Sequence, residues 1–238
     1  MKIVIIRHAD PDNINNCLTE AGKIEAEALG KHYNASMFDD IYSSTLPRAV
    51  LTAQAVIKGE KEIKQVDWLR EFFHDVTLED GKKHLNWDFL PSFLEKHQEF
   101  LSPNYFEDCK EFKDVEMQKH YENVVNEFDK VLEKNGYKRD GHYYKVIDSN
   151  QKTIVFFCHF GMMCVLMSHL FNIPYTILTN FTVCQPSGVT TFVTEEREKG
   201  IAEFRMLEFG DISHLKMEGI KPSFSARFCE IFDSEDRH

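Results

Sequence analysis

Apolar residues fall along this chain in short, unbroken runs separated by polar turns. Ile3 to Ile6 is a β-branched run closed by Arg7-His8-Ala9-Asp10-Pro11, the pattern of a buried central strand that ends in a turn. Thr19 predicts the N-cap of a helix in which Ala21, Ile24 and Ala28 keep helical spacing through about His32. Asp40 to Ser44 reads as a short strand. Pro47 then opens a helix through Ala49, Ala53, Val56 and Ile57. Residues 62–66 offer a further strand.

The regular alternation stops there. Residues 74–112 mix aromatics, charges, Pro91 and Pro103, with short helices at best, and predict an insertion that caps the strand ends. Met117, Tyr121, Val124, Val125, Phe128, Val131 and Leu132 form one stripe of a helix over 114–135, ended by Gly136. Residues 142–148 predict a short extra strand. Thr153 to Cys158 is a second fully apolar strand, and it stops on His159-Phe160-Gly161. A helix from Met162 to Phe171 follows, and a charged turn at Glu195–Gly200 joins two last strands, Val189–Thr194 and Ala202–Phe209. The expected fold is a three-layer α/β/α sandwich with a mostly parallel central sheet and an inserted cap. Its 238 residues suffice for a single domain over 1–238 with the cap at about 74–112.

Charge narrows the partners. A formal net charge of −11 disfavours nucleic acid and anionic lipid, but leaves room for a small anion in a pocket where arginines concentrate. No apolar run reaches membrane-spanning length. Cys17, Cys109, Cys158, Cys164, Cys184 and Cys229 form no framework, so reduced thiols are expected. With the first strand opening the chain, no leader is expected and the expected address is cytoplasmic. Nothing in the pattern sets an oligomeric state.

Two apolar strands each end on a histidine, His8 and His159, and neighbouring parallel strands bring such ends side by side. Arg7 precedes the first, and Arg48 stands at a helix start after another strand. This edge of a sheet is where open α/β folds hold ligands. Two histidines and two arginines there make a cationic pocket suited to a phosphoryl group, because guanidinium forks match phosphate oxygens and stay charged. Amides of Phe160 and Gly161 at the next helix start would add donors. A neutral imidazole at a solvent-facing strand end can attack phosphorus, and the arginines disfavour its protonation. The departing alkoxide needs a proton. Glu71 is the candidate acid, with Asp75, Glu79 and Asp80 as alternatives. Asn13 and Asn15, in the loop after His8, are candidate contacts to substrate oxygens. His74, His84, His97, His120 and His142 lack metal-ligand spacing, so neither metal nor cofactor is expected. Taken singly, an Arg-His pair at a strand end is commonplace. Its coincidence with a second strand-ending histidine carries the reading.

At these residues the chain resembles the histidine phosphatase superfamily, the phosphoglycerate mutase-like proteins of branch 1. Arg7-His8 matches the family's opening motif, and Leu18-Thr19 with Gly22 its first helix start. The run from Ser43-Ser44 through Pro47-Arg48-Ala49 to Thr52-Ala53 matches the second-arginine segment. Glu71 stands where the acid is expected, His159 heads the last motif, and Gly210 to Leu215 resembles a late family segment. The likeness spans residues 1–73 and about 114–215. Two positions depart from it: Ala9 and Phe160 each stand where the family has glycine. The resemblance implies hydrolysis of small phosphomonoesters through a covalent phosphohistidine on His8. A phosphoglycerate mutase would use the same site, but mutases of the family follow the acid with Arg-His-Tyr-Gly, and here Phe72-Phe73-His74-Asp75 follows. A catalytically idle phospho-ligand binding protein would have lost a histidine or the acid, and His8, His159 and Glu71 are all present.

Overall fold

The computed structural model describes residues 1–87, 89–223 and 231–233, so Cys229 lies outside the described residues. Strand β1 (Lys2–Arg7) leads through the two-residue strands β2 (Pro11–Asp12) and β3 (Cys17–Leu18) into α1 (Glu20–His32). Strand β4 (Asp40–Ser44) leads into α2 (Pro47–Ile57), and β5 (Lys64–Val66) into a 3-10 turn, Asp67–Leu69. Next come a hairpin of β6 (Asp75–Thr77) and β7 (Lys83–Leu85) and the short helices α3 (Pro91–Lys96), α4 (Tyr105–Asp108) and α5 (Lys110–Asp114). Helix α6 (Met117–Lys134), the hairpin β8 (Tyr137–Asp140) and β9 (Tyr143–Val146), and β10 (Thr153–Cys158) follow. The described chain continues through α7 (Phe160–Phe171), α8 (Tyr175–Phe181), β11 (Val189–Glu198), β12 (Ile201–Asp211) and α9 (Ser213–Met217).

One eight-stranded sheet, in the order β5-β4-β10-β1-β11-β12-β9-β8, organises these elements. The β5-β4-β10-β1 half is parallel, and from β1 outward each pairing is antiparallel. The unbroken apolar runs have a simple cause: both faces of the parallel half are covered. Ile3 and Ile5 of β1 join the core beneath α6 and α7, while Val4 and Ile6 join the one beneath α1 and α2. Each fully buried side chain of this size contributes roughly 1.5–3 kcal/mol.

Several elements differ from the sequence expectation. The helix expected over 114–135 starts at Met117, because Glu116 takes a left-handed conformation (φ 49°) that separates α5 from α6; the whole apolar stripe lies in α6. Helix α7 starts at Phe160, two residues early, with His159 as its N-cap. The last two strands run four residues past Thr194 and two past Phe209, so the hairpin turn shrinks to Lys199-Gly200. Residues 74–112 also contribute to the main core. Phe89, Phe100, Tyr105 and Phe112 are buried in the main core, with Tyr105 and Phe112 5.7 and 6.0 Å from the Tyr175 ring of α8.

Thr19 caps α1 as predicted. Its Oγ1 accepts from the Gly22 amide at 2.9 Å and donates to Asp10 Oδ2 at 2.6 Å, tying the helix start to the loop after β1. Gly22 allows that approach, since a Cβ there would lie 2.2 Å from the Asp10 carbonyl oxygen. Thr19→Ala should therefore lower unfolding free energy by about 1 kcal/mol in urea denaturation, the usual cost of losing such a cap.

Candidate active site

Backbone register assembles the site. Arg7 pairs with Cys158 across β1 and β10, so the next residues, His8 and His159, emerge side by side with ring centroids 5.0 Å apart. Ser43 pairs with Phe157, which brings Ser44 level with the end of β10 and leads through Pro47 to Arg48. Val66 pairs with Ser44, and the 3-10 turn after it delivers Arg70 and Glu71. Each of the five principal candidates thus follows or ends a parallel strand.

A hydrogen bond fixes the tautomer of the first ring. His8 Nδ1 lies 2.8 Å from the Ala9 carbonyl oxygen, which can only accept, so Nδ1 carries the proton and Nε2 keeps a lone pair. Ser44 Oγ accepts from the Leu46 amide at 3.1 Å and lies 2.8 Å from His159 Nε2. The other ring nitrogen of His159, Nδ1, is buried and has no hydrogen-bond partner among the described residues. Both imidazoles are held neutral. Burial above all, then Arg7 and Arg48, push the His8 pKa well below the usual histidine value, against the pull of the Ala9 carbonyl. Burial, then His8, Arg48, Arg7 and Arg70, do the same to His159. His8 is 3% exposed, not solvent-facing, because the neighbouring segments close around the strand end.

Arg7 is clamped from behind. One guanidinium nitrogen, Nη1, donates to the Cys184 carbonyl, while Nε is buried without a partner among the described residues. The Arg7 amide donates to Gly188, and the Ser187 amide donates to the His8 carbonyl at 3.1 Å. His214 of the late segment holds that strap in place, its Nε2 2.9 Å from Ser187 Oγ. Thr52 links the other arginine: its hydroxyl donates to the Arg48 carbonyl at 2.7 Å and accepts from the Ala9 amide at 3.0 Å.

Glu71 occupies the start of α7. Its Oε1 accepts from the Met162 amide at 3.0 Å and the Phe72 amide at 2.9 Å, filling one orphan donor of the helix's first turn. Burial raises the Glu71 pKa; the Met162 amide, Arg7, the Phe72 amide and Arg48 oppose it more weakly. The Phe160 ring faces Arg7, with its centroid 5.9 Å from the guanidinium carbon, and Gly161 lies beneath Glu71. Asn13 and Asn15 are exposed on the loop between β2 and β3, and the Asn15 amide donates to Asp12 Oδ2 at 2.8 Å. Asp75, Glu79 and Asp80 are exposed on or around the β6-β7 hairpin, with Asp80 holding His84 at 3.0 Å. Ser44, Thr52, Ser187 and Trp87 went unnoticed as site residues in the sequence. Only Ser44 and Thr52 carried a signal there, inside the segment around Arg48.

The family model of the histidine phosphatase superfamily (branch 1) matches residues 3–206, and the chain belongs to that superfamily. Among solved structures it is similar to a phosphoserine phosphatase mutant from Entamoeba histolytica in complex with phosphoserine, at 21% identity and a TM-score of 0.59, covering 90% of this chain and 98% of that one. It is also similar to a mycobacterial glucosyl-3-phosphoglycerate phosphatase in complex with VO3, at 17% identity and a TM-score of 0.54, covering 87% and 98%. A third likeness is to Bacillus stearothermophilus YhfR, at 22% identity and a TM-score of 0.54, covering 90% and 98%. At these identities the likeness is one of fold. A comparison with curated proteins gives no significant match.

The tautomer assignment has a direct readout. In imidazole 15N spectra, His8 should stay neutral, protonated on Nδ1, from pH 8 down through pH 6. A His8 that titrates near 6.5 would contradict its geometry. The same depressed value has a sign in stability. The unfolded chain binds the proton first, so folding stability should decline as pH falls through about 6.5.

Proposed function

We propose that the protein is a phosphomonoesterase that hydrolyses small phosphorylated molecules through a phosphoryl group carried on His8, without a metal. One observation carries the reading: His8, protonated on Nδ1 and so with a lone pair on Nε2, stands 5.0 Å ring to ring from His159, and two buried nitrogens of the same cluster, Arg7 Nε and His159 Nδ1, have no hydrogen-bond partner among the described residues. Such polar groups are costly to bury unless a ligand completes them. Arg48 supplies a further cation from the start of α2.

In the first step Nε2 attacks phosphorus as the bond to the substrate oxygen breaks. That oxygen takes the electron pair and a proton from Glu71. The proton sits on Oε2, since Oε1 is committed to two amides. Arg7, Arg48 and His159 hold the equatorial oxygens while charge redistributes. Water then attacks the phosphohistidine and gives its proton to the Glu71 carboxylate. The N–P bond breaks with its electron pair returning to Nε2, and inorganic phosphate leaves. Phe72-Phe73-His74-Asp75 after the acid supports water over a bound acceptor, and so hydrolysis over the mutase reaction. Residues 74–112 serve as the cap, reaching the site through Trp87 beside Gly161. The described cysteines are free thiols, and no helix among the described residues is long and apolar enough to cross a membrane, which is consistent with the cytoplasmic address proposed.

Enzyme quenched within one turnover in excess EDTA should carry acid-labile label from a 32P-phosphomonoester, and His8→Ala should abolish both label and turnover. Near wild-type turnover by that variant would exclude His8 as carrier. Glu71→Gln keeps a hydrogen bond but cannot deliver a proton. Single-turnover labelling of His8 by an alkyl phosphate should slow by about 100-fold or more, and labelling by p-nitrophenyl phosphate, whose leaving group is stable as an anion, far less. Equal losses on both would move the acid to Asp75, Glu79 or Asp80.

A further inference from the structure

We propose that the pocket selects phosphomonoesters whose alcohol portion carries a flat apolar ring on a short methylene spacer, held against an aromatic wall of Phe73, Trp87 and Phe160. The inference rests on the phosphomonoesterase reading and names its substrate class.

The wall flanks both the arginine that holds the phosphoryl oxygens and the acid that meets the leaving alcohol. On the arginine side, Phe160 follows His159 directly and sets its ring 5.9 Å from the Arg7 guanidinium carbon. On the acid side, Gly161 leaves a space that two groups share. A Cβ there would lie 2.8 Å from Glu71 Oε1 and 3.2 Å from Cε3 and Cζ3 of Trp87, so the indole and the carboxyl meet over the same helical turn. Phe73 joins them through a tight turn in which its amide donates to the Glu71 carbonyl at 2.8 Å. Its ring meets the indole at 5.8 Å and 70°, the edge-to-face arrangement aromatic pairs favour.

These rings are only partly spent on the core, against which Phe160 packs one side. Phe73 is 52% exposed, and Trp87 and Phe160 are half-buried, so apolar ring surface remains open beside Glu71 and Arg7. Exposed aromatic surface contiguous with convergent polar groups is the composition of a ligand site. A substrate with a second anionic group would need another cation instead. Arg70, whose charge reaches His159, is the cation such a group would meet; its side chain is exposed and lies 3.5 Å from Thr45 Oγ1 and 3.9 Å from Asp67 Oδ1.

Binding to His8→Ala separates the wall from the reaction, because that variant does not turn over. The probes are 2-phenylethyl phosphate, propyl phosphate and phosphoserine, compared by calorimetry. 2-Phenylethyl phosphate should bind about tenfold or more tightly than propyl phosphate, the scale of discrimination expected from an apolar pocket. Adding Trp87→Leu or Phe73→Ala should bring the ratio toward one, and the exposed Phe73 keeps the test open if the Trp87 variant misfolds. Equal affinities would overturn the proposal. So would phosphoserine binding tightest with affinity lost on Arg70→Ala. A tenfold ratio without label on wild-type His8 would keep the wall and remove hydrolysis; label with a ratio of one would do the reverse.

Discussion

The pairing of Lys2 through Arg7 with Thr153 through Cys158 determines which side chains meet at the edge of the sheet. A slip of one residue would turn every β1 side chain to the opposite face and place Arg7 or Ala9, rather than His8, beside His159. The slip is costly because both faces of β1 are buried: Ile3 and Ile5 would exchange places with Val4 and Ile6 in two separate cores. The same interaction that hides the apolar strand therefore holds two imidazoles 5.0 Å apart. Packing and chemistry are set by one register.

That placement produces an electrostatic imbalance. Arg7 and Arg48 stand beside two histidines that burial keeps uncharged. Two unit charges about 4 Å apart interact by about 4 kcal/mol where the effective dielectric is near 20. An entering dianion is thus met by fixed cations and needs no reorganisation of the protein. Glu71 sits in the same field, oriented by its two amide bonds, while burial raises its pKa. On the proposed mechanism, the start of α7 thereby holds the acid that protonates the leaving group.

The parts of this design written in local pattern were legible from sequence. His8 and His159 end fully apolar strands, and Arg48 follows a strand and a proline, so each announces its own position. Their juxtaposition follows from strand order, which periodicity does not encode but the Arg7-His8 and His159 motifs imply together. The antiparallel half of the sheet is less visible: the strand expected at 142–148 covers β9 but not β8, whose four residues precede a hairpin turn at Gly141. Trp87 carried no signal, since its role comes from a tertiary contact with Gly161 inside a segment without periodicity. The Ser187 strap was hidden for a similar reason. Its backbone amide holds His8, and an amide has no residue type to read.

The sheet order also dictates how the protein must fold. Strand β1 sits between β10 and β11, which follow it only after residue 153 and residue 189. During synthesis the first strand emerges with two bare apolar edges and waits for most of the chain before either is paired. Contacts this distant in sequence are slow to close and leave strand edges open to association in the meantime. Helices α1 and α2 can shield one face of the early chain, but no early element can cover the edges. The pocket is consequently among the last parts of the domain to exist, so a truncated or stalled chain would be left with sticky edges in place of an anion site.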